Sequence, residues 1–235
     1  MLRQLSHLVA PRSCYCCGRT LVSDENIMCM HCLMDLPRTG QHLKADTELL
    51  SRLCVLPERT HLGAGWFYYD KTSPYSRLIH AAKYYGRPYI MRVLGRMFGY
   101  ELKQSRGSAI SDAILLPIPL HADRRMLRGY NQSLELALGL SDILGCTVSE
   151  NLVATRRRRP HALKNRTARL SDSEKLFRLE NPHELNGRHL IIVDDIITTG
   201  ATMLEAMTTV ARDMRLTGTA PASINFLSLG ITRNF

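Results

Sequence analysis

The stretch that most constrains the fold runs from Leu190 to Thr202 and reads LIIVDDIITTGAT. It predicts an apolar strand that ends in two adjacent carboxylates, Asp194 and Asp195, followed by a turn rich in threonine and glycine that opens a helix. Amide groups at such a helix start attract phosphate, and the carboxylates can accept hydrogen bonds from the vicinal hydroxyls of a ribose. The segment therefore predicts a site for a phosphorylated sugar at the carboxyl edge of an α/β sheet.

Two other interpretations of this stretch compete with a ligand site. The aspartates can be solvated residues before a well-capped helix, or they can include the acid of a P-loop nucleotide hydrolase. The chain contains no G-x-x-x-x-G-K-[ST] element, which argues against the hydrolase. The ordered combination of strand, carboxylates and hydroxyl-rich turn favours the ligand site over the solvated pair.

The rest of the chain from about Gly63 alternates between apolar runs and segments of helical periodicity. This alternation is typical of a parallel, doubly wound sheet with helices on its faces. The predicted strands are Gly65–Tyr69, Ala113–Pro119, Cys146–Ala154, Leu190–Val193 and the apolar segment 222–229, and the predicted helices are 75–84, 89–104, 131–144 and 200–214.

Two pairs of cysteines, each with a two-residue gap, lie 11 residues apart: Cys14 and Cys17, then Cys29 and Cys32. Four thiolates at this spacing suit a structural Zn²⁺ with no open coordination position. His31 is an alternative to one of the thiolates, and Cys16 is interpreted as a spare. Buried free cysteines and a redox pair are the competing interpretations. Cys54 and Cys146 are interpreted as plain core residues.

Composition divides the chain into three regions: a zinc-binding module at 1–40, a connector at 41–62, and an α/β domain at 63–235. The sequence shows no leader-like apolar run and no stretch of 18 apolar residues, so we expect a cytoplasmic protein without membrane insertion. In such a compartment, clustered cysteines favour metal binding over disulfides.

The net charge of +10 is concentrated in one segment. Between Arg156 and Arg169 lie seven basic residues and no acid, while the remaining chain has 24 basic against 21 acidic residues. Such a segment predicts an anion-facing lid, a nucleic-acid contact or a solvated loop. The lid and the nucleic-acid contact can coexist. The segment has no aromatic residue, although non-specific single-strand binding usually includes base stacking.

Five motifs together resemble a known family over nearly the whole chain. The Asp-Asp/Thr-Thr-Gly segment is similar to the phosphoribosyl-pyrophosphate (PRPP) motif of type I phosphoribosyltransferases. With the cysteine box, it resembles the ComF/GntX family of competence-associated proteins. Supporting matches are LIHAAKYYG at Leu78–Gly86, PIPL at Pro117–Leu120 and RGYNQ at Arg128–Gln132.

The resemblance implies a type I phosphoribosyltransferase-like sheet flanked by helices and preceded by a small four-cysteine zinc module. It also implies site residues. Asp194 and Asp195 would hold the ribose hydroxyls and act in catalysis. Mg²⁺ would accompany PRPP, Arg128 and Lys83 would contact the pyrophosphate, and the basic segment would supply the lid or a DNA contact. The 5′-phosphate would lie on Thr198, Thr199, Gly200, Ala201 and Thr202, and the lid or DNA contact would use Arg156, Arg157, Arg158 and Arg159.

Two functions follow from this resemblance. The first is transfer or recognition of a phosphoribosyl group, linked to DNA uptake. The alternative is a non-catalytic, single-stranded-DNA-binding competence protein that uses the same fold, its zinc module and the basic segment. Other competence proteins are expected partners. The chain departs from the family in having His161 and Asp172 where a Gln and an Asn are usual.

Overall fold

The computed structural model of the protein describes residues 12–120, 129–155 and 175–233. The helices and strands within these ranges carry the labels α1–α6 and β1–β7 in chain order. They are α1 (Met30–Met34), α2 (Glu48–Leu53), β1 (Gly63–Tyr68), α3 (Ser76–Tyr84), α4 (Tyr89–Arg106), β2 (Ile114–Pro117), α5 (Gln132–Leu144), β3 (Thr147–Val148), β4 (Leu152–Ala154), β5 (Phe177–Leu179), β6 (His189–Ile197), α6 (Ala201–Leu216) and β7 (Ser223–Ile231).

Five of the strands form one sheet in the order β1-β7-β6-β2-β3, and every neighbouring pair is parallel. The predicted parallel sheet is thereby confirmed. Its first strand, β1, pairs with β7, so that Gly63 lies opposite Phe226 and Tyr68 lies opposite Ile231. Strands β4 and β5 pair antiparallel in a separate ribbon.

Helices cover both faces of the sheet, as a doubly wound architecture requires. Side chains of β6 alternate between the faces because successive residues of a strand point to opposite sides. Leu190 and Ile192 pack into a core with α2 and α6. Ile191 and Val193 pack into a second core with α3, α4 and α5. The sheet is therefore the middle layer of three.

Two glycines allow α4 and α5 to approach closely on one face. A Cβ atom at Gly139 would lie 2.2 Å from the Arg92 carbonyl oxygen, and one at Gly95 would lie 2.4 Å from the Leu136 carbonyl oxygen. Neither distance is possible for a carbon, so these positions exclude any side chain. The close approach positions α5, whose first-turn residue Ser133 donates a hydrogen bond to Asp194 on β6.

The predicted strand at Cys146–Ala154 is wrong as a single element. The chain leaves the main sheet after β3 and forms β4 in the antiparallel ribbon. The reason is Asn151, whose side-chain oxygen accepts hydrogen bonds from the amides of Glu180 and Asn181 and whose side-chain nitrogen donates to the Asn181 carbonyl. These bonds turn the chain toward β5.

Strand β6 extends beyond the end predicted for it. It continues through Asp194 and Asp195 to Ile197, because β7 is long enough to pair with it as far as Ile231. Both carboxylates are therefore strand residues rather than the first residues of a loop. Their backbone is held by the ladder, which limits how far the side chains can move.

The connector predicted at 41–62 contributes to the core. It contains α2, whose Leu49 and Leu53 are buried, and two short 3-10 turns. The division of the chain at residues 40 and 62 remains a prediction. Across the three described ranges, no helix has both the length and the apolar character that a bilayer crossing requires.

Candidate functional site

The end of β6 places one carboxylate in a cleft. The Asp195 Oδ2 atom lies 2.7 Å from the Lys83 Nζ atom, and Asp195 Oδ1 accepts a hydrogen bond of 2.7 Å from the Ile196 amide. The two charged side chains are 13% and 20% exposed, so the pair is largely desolvated. Lys83 lies in the last turn of α3, which brings that helix against the end of the sheet.

The neighbouring carboxylate, Asp194, accepts hydrogen bonds and has no direct ion pair with Lys83 among the described contacts. Asp194 Oδ1 accepts a hydrogen bond of 3.0 Å from the Ser133 hydroxyl and one of 2.8 Å from the Asp195 amide. Burial and the adjacent Asp195 charge raise the pKa of Asp194 to about 7, against the opposing effects of these two hydrogen bonds and of Lys83. A group with this pKa exchanges a proton near neutrality.

The threonine-glycine turn after β6 presents exposed donors. Gly200 caps α6 with a φ of 73°, a left-handed conformation that glycine adopts without strain. Thr198 and Thr199 are exposed, and the Thr198 carbonyl accepts a hydrogen bond of 3.0 Å from the Thr232 hydroxyl, which fixes the turn. In the part of the chain that the structure describes, the amides of Thr202 and Met203 meet no hydrogen-bond acceptor. A phosphate is a suitable partner for them.

A cavity of about 880 Å³ opens at this edge of the sheet. Three of the predicted ligand residues line it: Lys83, Asp195 and Thr198. The rest of its described wall comes from α3, from the turn that follows α3, and from four residues outside them: Tyr15, Tyr69, Lys71 and Ile196. These wall residues are Tyr15, Tyr69, Lys71, Ser76, Arg77, Ile79, His80, Ala81, Tyr84, Tyr85, Arg87 and Ile196.

The remaining predicted site residues fall into two groups. Asp194, Thr199, Gly200, Ala201 and Thr202 lie next to the cavity in sequence but are not among the residues lining it. The other predicted contacts lie outside the described residues, so the structure assigns them no position. They are Arg128, Arg156, Arg157, Arg158 and Arg159, together with His161, Asp172 and the rest of the basic segment.

The four predicted zinc ligands lie together. The Sγ atoms of Cys14, Cys17, Cys29 and Cys32 are all within 4.8 Å of one another. The Cys17 and Cys29 sulfurs are 3.8 Å apart, which is the edge of a tetrahedron with metal-sulfur bonds of about 2.3 Å. The Cys14 sulfur also accepts a hydrogen bond from the Cys29 amide. The cluster could hold a metal ion and is compatible with structural zinc.

The pKa values separate the cluster from its neighbour Cys16. Burial opposes ionisation of Cys14, but hydrogen bonds from the amides of Cys17, Cys29 and Cys16 outweigh it and lower the pKa of Cys14 to about 6. Burial and the Cys14 charge raise the pKa of Cys16 to about 12, which keeps that thiol neutral. His31 is not a ligand in this arrangement, because its Nε2 atom lies 3.2 Å from the Asp35 carboxylate on the exposed side of α1.

The other two cysteines differ in burial. Cys146 is a core residue, as predicted, and its thiol donates a hydrogen bond of 3.0 Å to the Ile110 carbonyl. Cys54 is half-buried and lies just after α2. Both are outside the four-cysteine cluster.

The segment from Cys14 to Cys32, here called the cysteine module, contacts the wall of the cleft. The Tyr15 hydroxyl lies 2.9 Å from the Tyr89 hydroxyl and accepts a hydrogen bond from the Arg87 guanidinium. Arg77 donates to the Cys16 carbonyl at 3.0 Å, and Tyr75 donates to the Cys32 carbonyl at 3.0 Å. The module is therefore anchored to α3 and α4 beside the cavity.

Sequence reasoning did not identify Ser133, Tyr15 or Arg87 as site residues. Ser133 had a usable signal, because helix α5 follows the neighbouring strand β2 and its first turn must lie near the end of β6. No sequence signal could have identified Tyr15 and Arg87, because their approach to the cleft depends on how the cysteine module packs against α3 and α4.

The chain resembles proteins of known family in two ways. Residues 131–213 match the phosphoribosyl transferase domain family. The chain is 32% identical over 201 residues to DNA utilization protein YhgH of Escherichia coli O157:H7. The aligned residues cover 82% of this chain and 81% of that protein. It is also 32% identical over 139 residues to competence protein F of Haemophilus influenzae, covering 56% of this chain and 59% of that protein.

Among solved structures, hypoxanthine phosphoribosyltransferase of Trypanosoma cruzi is similar over 63% of this chain and 69% of its own. The TM-score is 0.35 and the sequence identity is 16%. A likeness this weak adds nothing to the domain match over residues 131–213.

Proposed function

The chain belongs to the ComF family, together with DNA utilization protein YhgH and competence protein F, and we propose that its cleft binds PRPP or a related phosphorylated ribose. The observation that supports this most directly is that a largely desolvated Asp195–Lys83 pair and Thr198, the first residue of the threonine-glycine turn, line the same cavity. The ligand would carry a phosphate for the turn and hydroxyls for the carboxylate.

Each part of the edge would have a distinct task. The amides at the start of α6 and the hydroxyls of Thr198 and Thr199 would hold the 5′-phosphate. Asp195 would accept hydrogen bonds from the ribose hydroxyls and stabilise positive charge on the sugar during displacement at its anomeric carbon. Lys83 would exchange part of its contact with Asp195 for a contact with the pyrophosphate.

The residues present fit a magnesium ion that is held mainly by the ligand. Mg²⁺ is usually bound through one or two carboxylates together with substrate phosphates, and Asp195 is a carboxylate at the cavity wall. When bound, Mg²⁺ neutralises charge on the departing pyrophosphate. The four thiols would hold Zn²⁺ in a structural role, and the family relationship supports a task in the use of DNA.

Isothermal titration of the full chain with PRPP and Mg²⁺ tests this proposal. We expect saturable heat for the native protein and binding weakened at least about 10-fold in Asp195→Asn, since a hydrogen bond involving a charged group contributes about 1.5–3 kcal/mol. Asp46→Asn is the matched control, because Asp46 is exposed and lies outside the cavity wall. An absence of heat with native protein overturns the proposal.

A second pair of variants tests the role of the helix-start amides. Ala201→Pro removes the amide at the first position of α6, where proline is tolerated, together with its 3.5 Å hydrogen bond to the Thr199 hydroxyl, while Ala201→Ser keeps both. We expect weaker PRPP binding for the proline variant alone, at unchanged thermal stability. In this titration water is the acceptor at the anomeric carbon, so release of pyrophosphate identifies displacement chemistry by hydrolysis of PRPP, and binding without release identifies recognition of PRPP in the absence of another acceptor.

A further inference from the structure

A second cavity, of about 470 Å³, opens at the other edge of the sheet. Its described wall comes from residues 55–59, from the C-terminal half of α6 and from residues 219–221. Strands β1 and β7 begin a few residues after two of these segments, so this cavity lies at the amino edge of the parallel sheet. It is here called the amino-edge cavity. No described residue lines both this cavity and the one that contains Asp195.

Most of the surface that the wall of the amino-edge cavity exposes is apolar. Val55, Leu56 and Ala211 line the cavity and are half-buried against the core shared by α2 and α6. Pro221 also lines it and is buried. Contact with these side chains would remove an apolar ligand body from water, which is the usual source of affinity in a ligand cavity.

Three arginines from two segments line the same cavity: Arg59, Arg212 and Arg215. The Arg59 Nη1 atom donates a hydrogen bond of 2.6 Å to the Pro221 carbonyl, and the Arg212 Nε atom lies 2.9 Å from an Asp213 carboxylate oxygen. Among the residues whose side chains the structure describes, Arg215 has no ion pair, and no carboxylate lines the cavity. The surplus of positive charge therefore favours a ligand with an anionic group.

A helix dipole explains only part of this charge. Arginines near the C-terminus of a helix stabilise it, and Arg212 and Arg215 lie in the last two turns of α6. Arg59 belongs to another segment and still lines the same cavity. Guanidinium groups around one cavity repel each other, and a bound anion lowers that repulsion. A carboxylate is suitable, because its two oxygens match the fork of a guanidinium group.

We propose that the amino-edge cavity binds a small carboxylate with an apolar body. The carboxylate contacts Arg215 and the donors of Arg59 that Pro221 does not use, while the body packs on Leu56 and Ala211. A phosphorylated sugar fits this wall poorly, because its hydroxyls would lose their water against an apolar surface. The proposal concerns a separate site and does not rest on PRPP binding in the cleft.

Titration of the full chain with octanoate, followed by amide NMR shifts, tests this site. We expect saturable shifts at Val55, Ala211 and Ala220, which line the cavity. 1-Octanol has the same body without the charge and should bind at least about 10-fold more weakly, because it makes no charged hydrogen bond. Acetate has the charge without the body and should bind at least about 100-fold more weakly, since six methylenes are missing.

Two variants locate the contacts of octanoate. Arg215→Met keeps an unbranched side chain but removes the guanidinium group, and should weaken octanoate binding at least about 10-fold. Arg188→Met is the matched control, because Arg188 is exposed just before β6 and does not line the cavity. Thr208→Trp adds a ring at an exposed position of the wall and should block octanoate. The spectrum of each variant also reports whether it is folded.

The end of a peptide chain is a second source of the same chemistry. N-acetyl-leucyl-leucine combines a free carboxylate with an apolar body, and its titration beside that of octanoate distinguishes the two sources by the tighter binder. Three results would overturn the proposal: saturable shifts with neither carboxylate, equal affinity for 1-octanol and octanoate, or native affinity in both Arg215→Met and Thr208→Trp. None of these titrations contains PRPP, so their outcome is independent of the proposed function.

Discussion

The cysteine module and the end of β6 both bring acidic side chains together, but they balance the charge by different means. In the module, the four sulfur atoms lie within 4.8 Å of one another and could hold a metal ion. At β6, Asp195 has Lys83 at 2.7 Å, and Asp194 carries a proton up to about neutral pH. Charge in the module would be balanced by such an ion, whereas the charge of Asp195 in the cleft is balanced by Lys83 of the same chain.

Removing one ligand from the module should have the largest effect. We expect Cys17→Ala to lose the bound metal and to unfold the segment from Cys14 to Cys32, because structural zinc contributes about 10–16 kcal/mol of apparent binding energy in small zinc-binding domains. Cys16→Ala is the matched control, since its neutral thiol lies outside the cluster. Metal content and hydrogen exchange measure the two outcomes. Equal metal loss in both variants would contradict the four-cysteine site.

Removing the cation of the cleft should have the next largest effect. Lys83→Met leaves the Asp195 carboxylate largely desolvated and without its cation, so we expect unfolding free energy to fall by about 3 kcal/mol. Urea denaturation measures this, with the exposed Lys44→Met as control. In a double-mutant cycle with Asp195→Leu, additive losses would show that the two side chains are not coupled.

The protonation of Asp194 should give a smaller, pH-dependent effect. The native state holds this proton to higher pH than the unfolded chain does, so stability falls as pH rises from 5 to 7, by about 2 kcal/mol. Above the native pKa of about 7, this contribution is lost. Denaturation curves across that range should show the slope in the native protein. Asp194→Asn should flatten it, and an identical slope in that variant would assign the dependence to other groups.

The hydroxyl beside Asp194 should give the smallest effect. Ser133→Ala removes a hydrogen bond of 3.0 Å to Asp194, and we expect a loss of about 1 kcal/mol. Because the hydroxyl stabilises the charged carboxylate, the pKa of Asp194 should rise further in this variant. Ser105→Ala, on the outer side of α4, is a suitable control. Titration of the Asp194 carboxyl by NMR measures the shift, and a lower pKa would refute the contact.

The same comparison explains what could be predicted from the sequence. The four thiols and the Asp-Asp/Thr-Thr-Gly segment are neighbours along the chain, so spacing alone identified them. The contact of Lys83 with Asp195 joins α3 to β6 across the fold, and sequence reasoning assigned Lys83 only a pyrophosphate role. Site residues that are close together in the sequence could be predicted, whereas contacts between residues on distant helices and strands could not.

The errors in the predicted fold also arise from contacts between elements that are distant in the sequence. The end of β6 was placed too early because the length of its partner β7 decides how far the ladder extends. The run 146–154 looked like one strand because nothing in its apolar pattern shows that Asn151 bonds to residues 180 and 181.

The pairing of β1 with β7 has a consequence for synthesis of the protein. During translation, residues 63–68 leave the ribosome long before residues 223–231, so the edge strand has no partner until nearly all of the described chain has been made. The segment before it is tied to the same strand, since the Thr39 amide donates to the Trp66 carbonyl. This apolar strand therefore lacks its sheet partner in nascent chains until residues 223–231 have been made, and its open edge can aggregate during that time.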